Sequence, residues 1–310
     1  MSAAPGRPKQ ANTPSGGRPL YSADGGLHPV SSGPAPWQQT QWDWRAAANF
    51  VCGGAGGGLI VFAVLSGAQG LALAALLLGG LALVGTGLVC VWLEIGRPLR
   101  ALHVYFNPRT SWMTREAFVG TLLMPVALAA AAGLPGFEWL AAVLALAFVY
   151  CQGRILQGAK GIPAWREPLL VPLVVLTGLA EGGGLCLLVQ PRHAASEPLL
   201  LVFVGALVLA RVLLWLAYRH RLAPRAAPRA LVALDAAGRW LQLAGSWLPL
   251  AVLALVAGGS IGGALAAPLL VVAGVLAVVA GAWLKFTLIT RAGFNQGFAL
   301  AHLPVRGVRR

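Results

Sequence analysis

Eight long runs of hydrophobic residues, separated by short polar segments, dominate the chain. A membrane-spanning helix needs about 20 mainly apolar residues. The runs have this length and lack the alternation that is typical of membrane β-barrel strands. The pattern therefore predicts an all-α integral membrane protein with eight transmembrane helices, which we expect to form two four-helix bundles. The predicted helices are 46–67, 71–95, 117–134, 139–156, 168–189, 199–218, 240–257 and 266–289.

The polar segments divide the rest of the chain. Residues 1–36 are rich in Pro, Gly, Ser and Ala without a long apolar run, which predicts a flexible N-terminal tail rather than a signal peptide. Residues 37–45 contain Trp37, Trp42 and Trp44, a density that is typical of an interfacial anchor. The membrane domain is predicted over residues 46–290, and residues 291–310 form a basic C-terminal tail.

The charge of the chain predicts its orientation. Of 310 residues, 58% are hydrophobic and only 10% are charged, yet the net charge is +14. In a soluble protein this excess would suggest a nucleic-acid partner, but cytoplasmic loops of membrane proteins also collect Lys and Arg. With the predicted helices, 22 of the 23 basic residues fall on one side of the membrane and only Arg192 on the other. We therefore expect both termini in the cytoplasm and no nucleic-acid partner.

The sequence offers no set of metal ligands. The four cysteines lie in apolar runs without a C-x-x-C pair, as expected for small buried residues rather than ligands of an iron–sulfur cluster. The five histidines fall in tails, loops or helix ends, so no two face each other as a haem-binding pair. We expect no haem, iron–sulfur cluster or molybdenum in this chain.

Two acidic residues stand out because charges inside a bilayer are unfavourable. Glu94 lies at the end of the second predicted helix and either pairs with Arg97 or Arg100 or exchanges protons with a bound quinone. Glu181 lies thirteen residues after Pro168, about 20 Å along the fifth predicted helix at about 1.5 Å per residue. We favour an ion pair between Glu181 and Arg211, with a proton route as the alternative.

Two further segments have local features. The first predicted helix begins with Asn49 and a glycine-rich run that includes Gly53 and Gly54; no G-K-[ST] follows, so the glycines indicate close helix packing or a face for a flat ligand. In the loop before the third helix, Thr114 is a candidate N-cap. Glu116 would then lie in the first turn, where the helix dipole favours an anion.

That loop also carries a resemblance. The stretch EIGRPLRALHVYFNPRTSWMTREA, residues 94–117, resembles the helix 2–helix 3 signature of the dimethyl sulfoxide reductase anchor-subunit family, which is related to the membrane subunits of polysulfide and cytochrome-linked nitrite reductases. The matching elements are Gly96-Arg97-Pro98, Arg100-Ala101, Ser111-Trp112 and Arg115-Glu116. Eight helices and a glycine-rich first helix are also similar to this family.

The resemblance implies a function. Members anchor a ferredoxin-like subunit with four [4Fe–4S] clusters and a catalytic subunit with a molybdenum or tungsten bis-pterin cofactor, and they exchange electrons with ubiquinone or menaquinone. With the basic side inside, we expect this chain in the inner membrane with its partners in the cytoplasm, coupling substrate oxidation to quinone reduction. The stretches NPRTSWMTREA and QWDWRAAANF are most similar to the phenylacetyl-CoA:acceptor oxidoreductase branch. Sulfite dehydrogenases are the other candidates with cytoplasmic partners.

The resemblance also assigns roles to residues. Glu94 stands where the family has a histidine of the quinol site, so it is the candidate for proton exchange. The expected quinone contacts are Asn49, Gly53, Gly54, Glu94, Arg97 and His103. The expected docking residues for the soluble partners are Arg100, Arg109, Trp112 and Arg115. Two alternatives remain open: a secondary transporter that uses Glu181 and Arg211, and a purely structural anchor.

Overall fold

The computed structural model describes residues 36–95 and 98–295, and this part of the chain is almost entirely helical. Eight helices are long and apolar enough to cross a membrane, which confirms the predicted fold class. We label them α1 to α8. Their bounds are α1 Trp44–Leu65, α2 Gly70–Glu94, α3 Trp112–Ala131, α4 Phe137–Gly158, α5 Leu170–Val189, α6 Pro198–Leu222, α7 Pro228–Ala257 and α8 Ala266–Thr290.

Short elements connect the long helices. A 3₁₀ segment, Pro98–Phe106, follows α2, and another, Gly263–Leu265, precedes α8. Single helical turns at Pro163–Arg166 and Pro191–Ser196 flank α5. A π-helical segment, Leu243–Trp247, interrupts α7.

Helix α7 begins at Pro228, twelve residues before the predicted start. Its first part is amphipathic: Ala230, Leu234 and Ala237 are buried, whereas Arg229 and Asp235 lie on its exposed side. Such a stretch has too many polar residues to stand out as an apolar run, although its spacing is that of a surface helix. Hydrophobicity alone therefore placed the start of this helix too late.

Helix α3 also begins earlier than predicted, at Trp112. Its N-cap is Ser111, whose Oγ accepts a hydrogen bond from the backbone N–H of Thr114 at 3.3 Å. The prediction that Thr114 caps this helix was wrong, because the Thr114 hydroxyl donates instead to the carbonyl of Val104 at 2.5 Å. These two bonds fix the 3₁₀ segment against the start of α3.

The eight helices form two four-helix groups that meet along α1 and α5. In the first group α1 packs on α2 and α4, and α3 packs on both of those; in the second, α5 packs on α6 and α8, and α7 packs on both of those. In the most apolar stretch of α1 and of α5, 67% and 72% of the residues are buried, against 33–44% for the other six helices. The inner pair therefore forms the centre of the protein.

Glycine makes this central contact possible. A Cβ on Gly58 would overlap the backbone of Gly178, and a Cβ on Gly182 would overlap the backbone of Gly58. Small residues four apart on each helix let two backbones approach closely, as in many membrane helix pairs. The glycine-rich run of α1 thus serves tight packing, one of its two interpretations.

Both ends of the described chain meet at one end of the bundle, which we call the basic end. The N–H of Gln39 donates to the carbonyl of Gly293 at 2.8 Å, and the N–H of Asn295 donates to that of Trp37 at 3.0 Å. Trp42 stacks on Trp165 with ring centroids 5.0 Å apart. The tails predicted over residues 1–36 and 291–310 lie mostly outside the described residues.

Candidate functional site

Buried polar side chains concentrate in the half of the membrane domain that is nearest the basic end. Glu116 lies four residues after the start of α3, and Asn49 lies five residues after the start of α1. Lys285 and Gln152 lie five and six residues before the ends of α8 and α4. At 1.5 Å per residue, these positions are about 6–9 Å along their helices from the basic end.

The first group of these side chains, the amide–carboxylate cluster, consists of Asn49, Glu116 and Gln152. The Nδ2 of Asn49 donates to Oε1 of Glu116 at 3.4 Å, and the Nε2 of Gln152 donates to the backbone carbonyl of Asn49 at 3.0 Å. All three residues are buried. Among the described residues, no Lys, Arg or His nitrogen lies within 4 Å of the Glu116 carboxylate, and its hydrogen-bond donor is the neutral Asn49 amide.

The amide–carboxylate cluster also contains unused hydrogen-bonding capacity. The Oδ1 of Asn49 and the Oε1 of Gln152 are buried, and neither has a partner within the part of the chain that is described. Amide oxygens accept hydrogen bonds and amide nitrogens donate them. The cluster can therefore accept from a protonated carboxyl and donate to a carboxylate.

The second group, the ion-pair cluster, consists of Glu181, Lys285 and Arg211, all buried. The Nζ of Lys285 lies 2.6 Å from Oε2 of Glu181 and also donates to the backbone carbonyls of Phe50 at 2.8 Å and Val51 at 3.2 Å. The ammonium thus donates to three acceptors contributed by α1 and α5. A buried charge pair is tolerated when hydrogen bonds satisfy its groups. The Lys285 ammonium meets this condition, whereas Oε1 of Glu181 has no partner in the described part of the chain.

The predicted ion pair between Glu181 and Arg211 was wrong. Arg211 donates to the backbone carbonyls of Ala277 at 3.0 Å and Gly245 at 2.5 Å, and Lys285 is the direct partner of Glu181. Gly245 lies in the π-helical segment of α7, where the regular pattern of backbone hydrogen bonds is broken and a carbonyl can accept from a side chain. Arg211 still acts on Glu181 electrostatically.

Glycines give both clusters their space. A Cβ on Gly53 would overlap Nε2 of Gln152. A Cβ on Gly54 would lie 2.6 Å from Nζ of Lys285 and 3.6 Å from Oε1 of Gln152, so the two clusters meet at Gly54. A flat ligand at these glycines would have to displace Gln152 or Lys285. The glycines of α1 therefore serve protein side chains at this point.

Glu94, the predicted proton-exchanging residue, lies apart from both clusters. It is half-buried at the end of α2, and its electrostatic neighbours are Asp43 and Arg45. Arg45 donates to the carbonyl of Leu93 at 3.0 Å and forms an ion pair with Asp43 at 2.8 Å, which holds the pKa of Asp43 below its usual range. No described cation lies within 4 Å of the Glu94 carboxylate, and Arg97 is outside the described residues.

Of the other residues predicted to contact quinone or the soluble partners, some are buried in the two clusters and others are exposed at the basic end. Asn49, Gly53 and Gly54 belong to the buried clusters, whereas His103 is exposed on the 3₁₀ segment with its ring 5.3 Å from that of Phe106. Arg100 and Arg109 are exposed at the basic end. Of the five predicted quinone contacts that the structure describes, it therefore brings together three.

Sequence reasoning missed three central residues of these clusters. Glu116 was interpreted as a helix-dipole group, Lys285 was counted only as a topological charge, and Gln152 was not singled out. One signal was present for all three: each is a polar residue within a predicted membrane helix or beside its start. The residues that these three contact could not be predicted, because the contacts depend on how the helices pack.

The described residues contain no group of three or more His, Cys, Asp or Glu side chains that could hold a metal ion. No protein-family model matches the chain, and no curated protein sequence matches it significantly. The family resemblance of residues 94–117 therefore stays a prediction.

Proposed function

We propose that the chain is the quinone-reactive membrane subunit of a multi-subunit oxidoreductase. It would exchange electrons between a partner with four [4Fe–4S] clusters and the quinone pool of the inner membrane. A molybdopterin subunit in the cytoplasm would oxidise the substrate. The observation that carries the proposal is the buried Glu116, which accepts a hydrogen bond from the Asn49 amide in the basic half of the membrane domain.

A carboxyl group in this position suits quinone chemistry. Reduction of a quinone to a quinol takes up two electrons and two protons, and the electrons would come from the iron–sulfur partner. The protons must enter a region without bulk water, where a positioned carboxyl group can transfer them. Since amide groups can stabilise both protonation states of Glu116, that residue can take up and release a proton in place.

The position of Glu116 in the chain also supports the proposal. It belongs to the Arg115-Glu116 element of the stretch that resembles the anchor-subunit family. Its hydrogen-bond partner, Asn49, is one of the quinone contacts that the resemblance implies. Glu94 lies nearer the basic end, where a half-buried carboxylate can exchange protons with water. We therefore assign the inner proton exchange to Glu116 and keep Glu94 as an outer group.

The basic end is the face on which we place the soluble partners. Arg100 and Arg109 are exposed there, between α2 and α3. An acidic partner would be attracted to such a surface, mainly through a faster and more specific encounter. Docking at this end would bring an electron donor to the same half of the membrane domain as Glu116.

Purification of the tagged full chain from its native membranes tests the assembly. We expect iron, molybdenum or tungsten, and quinone to co-purify in stoichiometric amounts. A complex with the metals but without quinone would support the purely structural anchor. Purification of the chain alone, without iron or molybdenum, would contradict the proposal.

Electron transfer in the purified complex tests the role of Glu116. Electrons supplied by dithionite-reduced methyl viologen should reduce decyl-ubiquinone in the wild type, and Glu116→Gln should slow this step by about 10²-fold. The matched control is Glu197→Gln, an exposed carboxylate at the opposite end of the bundle. If both variants transfer electrons at the wild-type rate, Glu116 has no part in the reaction.

One observation favours a secondary transporter as the second candidate. Transporters bind substrates at interrupted helices near the membrane centre. The π-helical segment of α7 interrupts that helix, and its Gly245 carbonyl accepts from the buried Arg211. A transporter would purify without iron–sulfur subunits, and its transport would be lost in Arg211→Gln.

A further inference from the structure

A stack of two arginines on one tryptophan lies at the basic end of α3 and α4. The guanidinium carbon of Arg115 lies 4.2 Å from the ring centroid of Trp112, and that of Arg154 lies 4.4 Å from the same centroid. Arg154 also donates to the hydroxyl of Tyr150 at 2.9 Å, and the Tyr150 ring lies edge-on to Trp112 at 5.8 Å. Trp112, Tyr150, Arg115 and Arg154 form what we call the arginine stack.

The arginine stack carries two positive charges that no described acidic residue neutralises. Some other arginines at this end pair with carboxylates, such as Arg219 with Asp235 at 2.5 Å and Arg225 with Glu167 at 3.2 Å. In contrast, neither Arg115 nor Arg154 has a described carboxylate oxygen within 4 Å. The neighbouring Glu116 instead accepts from Asn49 in the bundle interior.

Arg154 also has an unused donor. Its Nε is buried and has no hydrogen-bond partner in the described part of the chain. Arg115 uses its guanidinium to hold the loop, since it donates to the carbonyls of Pro108 at 3.0 Å and Arg109 at 2.7 Å. Two guanidinium groups that share one ring repel each other, so an anion beside them would stabilise the stack.

An apolar groove begins directly below the arginine stack. It has a volume of about 430 Å³ and is lined by Val143, Leu146, Ala147 and Tyr150 of α4 and by Val175 of α5. The four α4 residues share one face of the helix, and Arg154 follows one turn after Tyr150. Val143 and Arg154 are eleven residues apart, about 16 Å along the helix axis, which is enough for much of an acyl chain.

We infer that the arginine stack and this groove bind one anionic phospholipid of the surrounding membrane. The phosphodiester accepts hydrogen bonds from Arg154 and is attracted by the charge of Arg115, while one acyl chain fills the groove along α4. An anionic headgroup neutralises the stack, whereas a zwitterionic headgroup brings its own cation. The stack is then occupied by lipid, which leaves the exposed Arg100 and Arg109 for a soluble partner.

Native mass spectrometry of the purified full chain tests the inference. Detergent micelles are doped with phosphatidylglycerol, with phosphatidylcholine of the same chains, or with inorganic phosphate. We expect one phosphatidylglycerol to be retained with at least tenfold higher affinity than phosphatidylcholine, and no retained phosphate. Equal retention of both lipids, or retention of inorganic phosphate alone, would overturn the inference.

Variants locate the site on the protein. Arg154→Gln should lower retention of phosphatidylglycerol about tenfold, and Lys160→Gln, which removes an exposed charge just beyond the end of α4, should not change it. Ala147→Phe fills the groove without changing any charge, and it should also lower retention. Since Ala147 lies on the membrane-facing surface, this variant carries the test even if Arg154→Gln folds poorly.

The variants also separate a lipid site from a protein-docking site. If Arg154→Gln and Ala147→Phe both keep wild-type retention of phosphatidylglycerol, the site is not where we place it. If Arg154→Gln releases soluble subunits from the purified complex while lipid retention is unchanged, the arginine stack is a protein-docking surface, and the inference is wrong.

Discussion

The two carboxylates buried beside α1 differ in what surrounds them. Glu181 lies 2.6 Å from the ammonium of Lys285, whereas Glu116 accepts a hydrogen bond from an amide and has no described cation within 4 Å. A carboxylate held by a fixed cation stays charged, and removal of either member of the pair leaves the other charge buried and unpaired. A carboxyl among amides is uncharged when it is protonated, and the amide N–H groups can donate to it after it loses the proton. Glutamate therefore forms a structural ion pair in one cluster and is a candidate proton site in the other.

The largest effect on stability is expected from breaking the ion pair between Lys285 and Glu181. Lys285→Met leaves Glu181 without its partner in the protein interior, and removal of one member of a buried pair typically costs about 3–5 kcal/mol. Thermal and chemical unfolding of the full chain in detergent micelles would measure this loss. The double variant Glu181→Leu with Lys285→Met should recover most of the stability, because no unpaired charge then remains. If the double variant is as unstable as the single one, packing rather than charge is the cause.

The second-largest loss of stability is expected at the glycine contact between the two four-helix groups. Gly58→Ala would place a methyl group against the backbone of Gly178 and within 3.1 Å of the Cα of Gly182. Overpacking of this kind costs about 1–3 kcal/mol and more where backbone must move. Gly158→Ala is the control, since nothing lies within 4 Å of its Cβ position. Equal unfolding midpoints for the two variants would show that α1 and α5 can separate without loss.

A smaller effect is expected at Glu116. Glu116→Gln keeps the shape of the side chain and exchanges one group among amides for another, so we expect the free energy of unfolding to change by less than about 1 kcal/mol. Glu181→Gln is the matched variant in the other cluster, and it should be clearly more destabilising because Lys285 loses its counter-ion. The same unfolding measurement in detergent compares the two. A large loss for Glu116→Gln would mean that this carboxylate also has a structural role.

The eight-helix architecture could be predicted because the length of an apolar run is a local property of a sequence. All eight helices were predicted, and only the starts of α3 and α7, which have polar first turns, were placed more than two residues too late. The partners inside the bundle could not be predicted. Glu181 was assigned to Arg211, since both lie deep in their helices, but which side chain reaches Glu181 depends on how α8 packs against α5.

The candidate site shows the same limit. Asn49 was predicted to contact quinone, which stays a prediction, and the structure places it in a buried polar cluster. Glu116 and Gln152 come from α3 and α4, 67 and 103 residues further along the chain. A first-turn glutamate has an adequate local explanation in the helix dipole, so a partner for Glu116 was not sought. Only the packing of three helices turns that residue into a candidate proton site.

The smallest effect is expected at Thr287, which lies two residues from Lys285 and belongs to neither cluster. Its Oγ1 is buried without a partner in the described part of the chain. Exchange of an unsatisfied hydroxyl for a methyl group should be neutral or stabilising by up to about 1 kcal/mol. The control is Thr177→Val, because Thr177 lies beside Gly281 of α8 and its hydroxyl donates to the carbonyl of Leu173 at 2.6 Å. If Thr287→Val lowers the unfolding midpoint as much as Thr177→Val does, the Thr287 hydroxyl has a partner. The ion-pair cluster would then extend further toward the basic end, and its contrast with the amide–carboxylate cluster would be weaker.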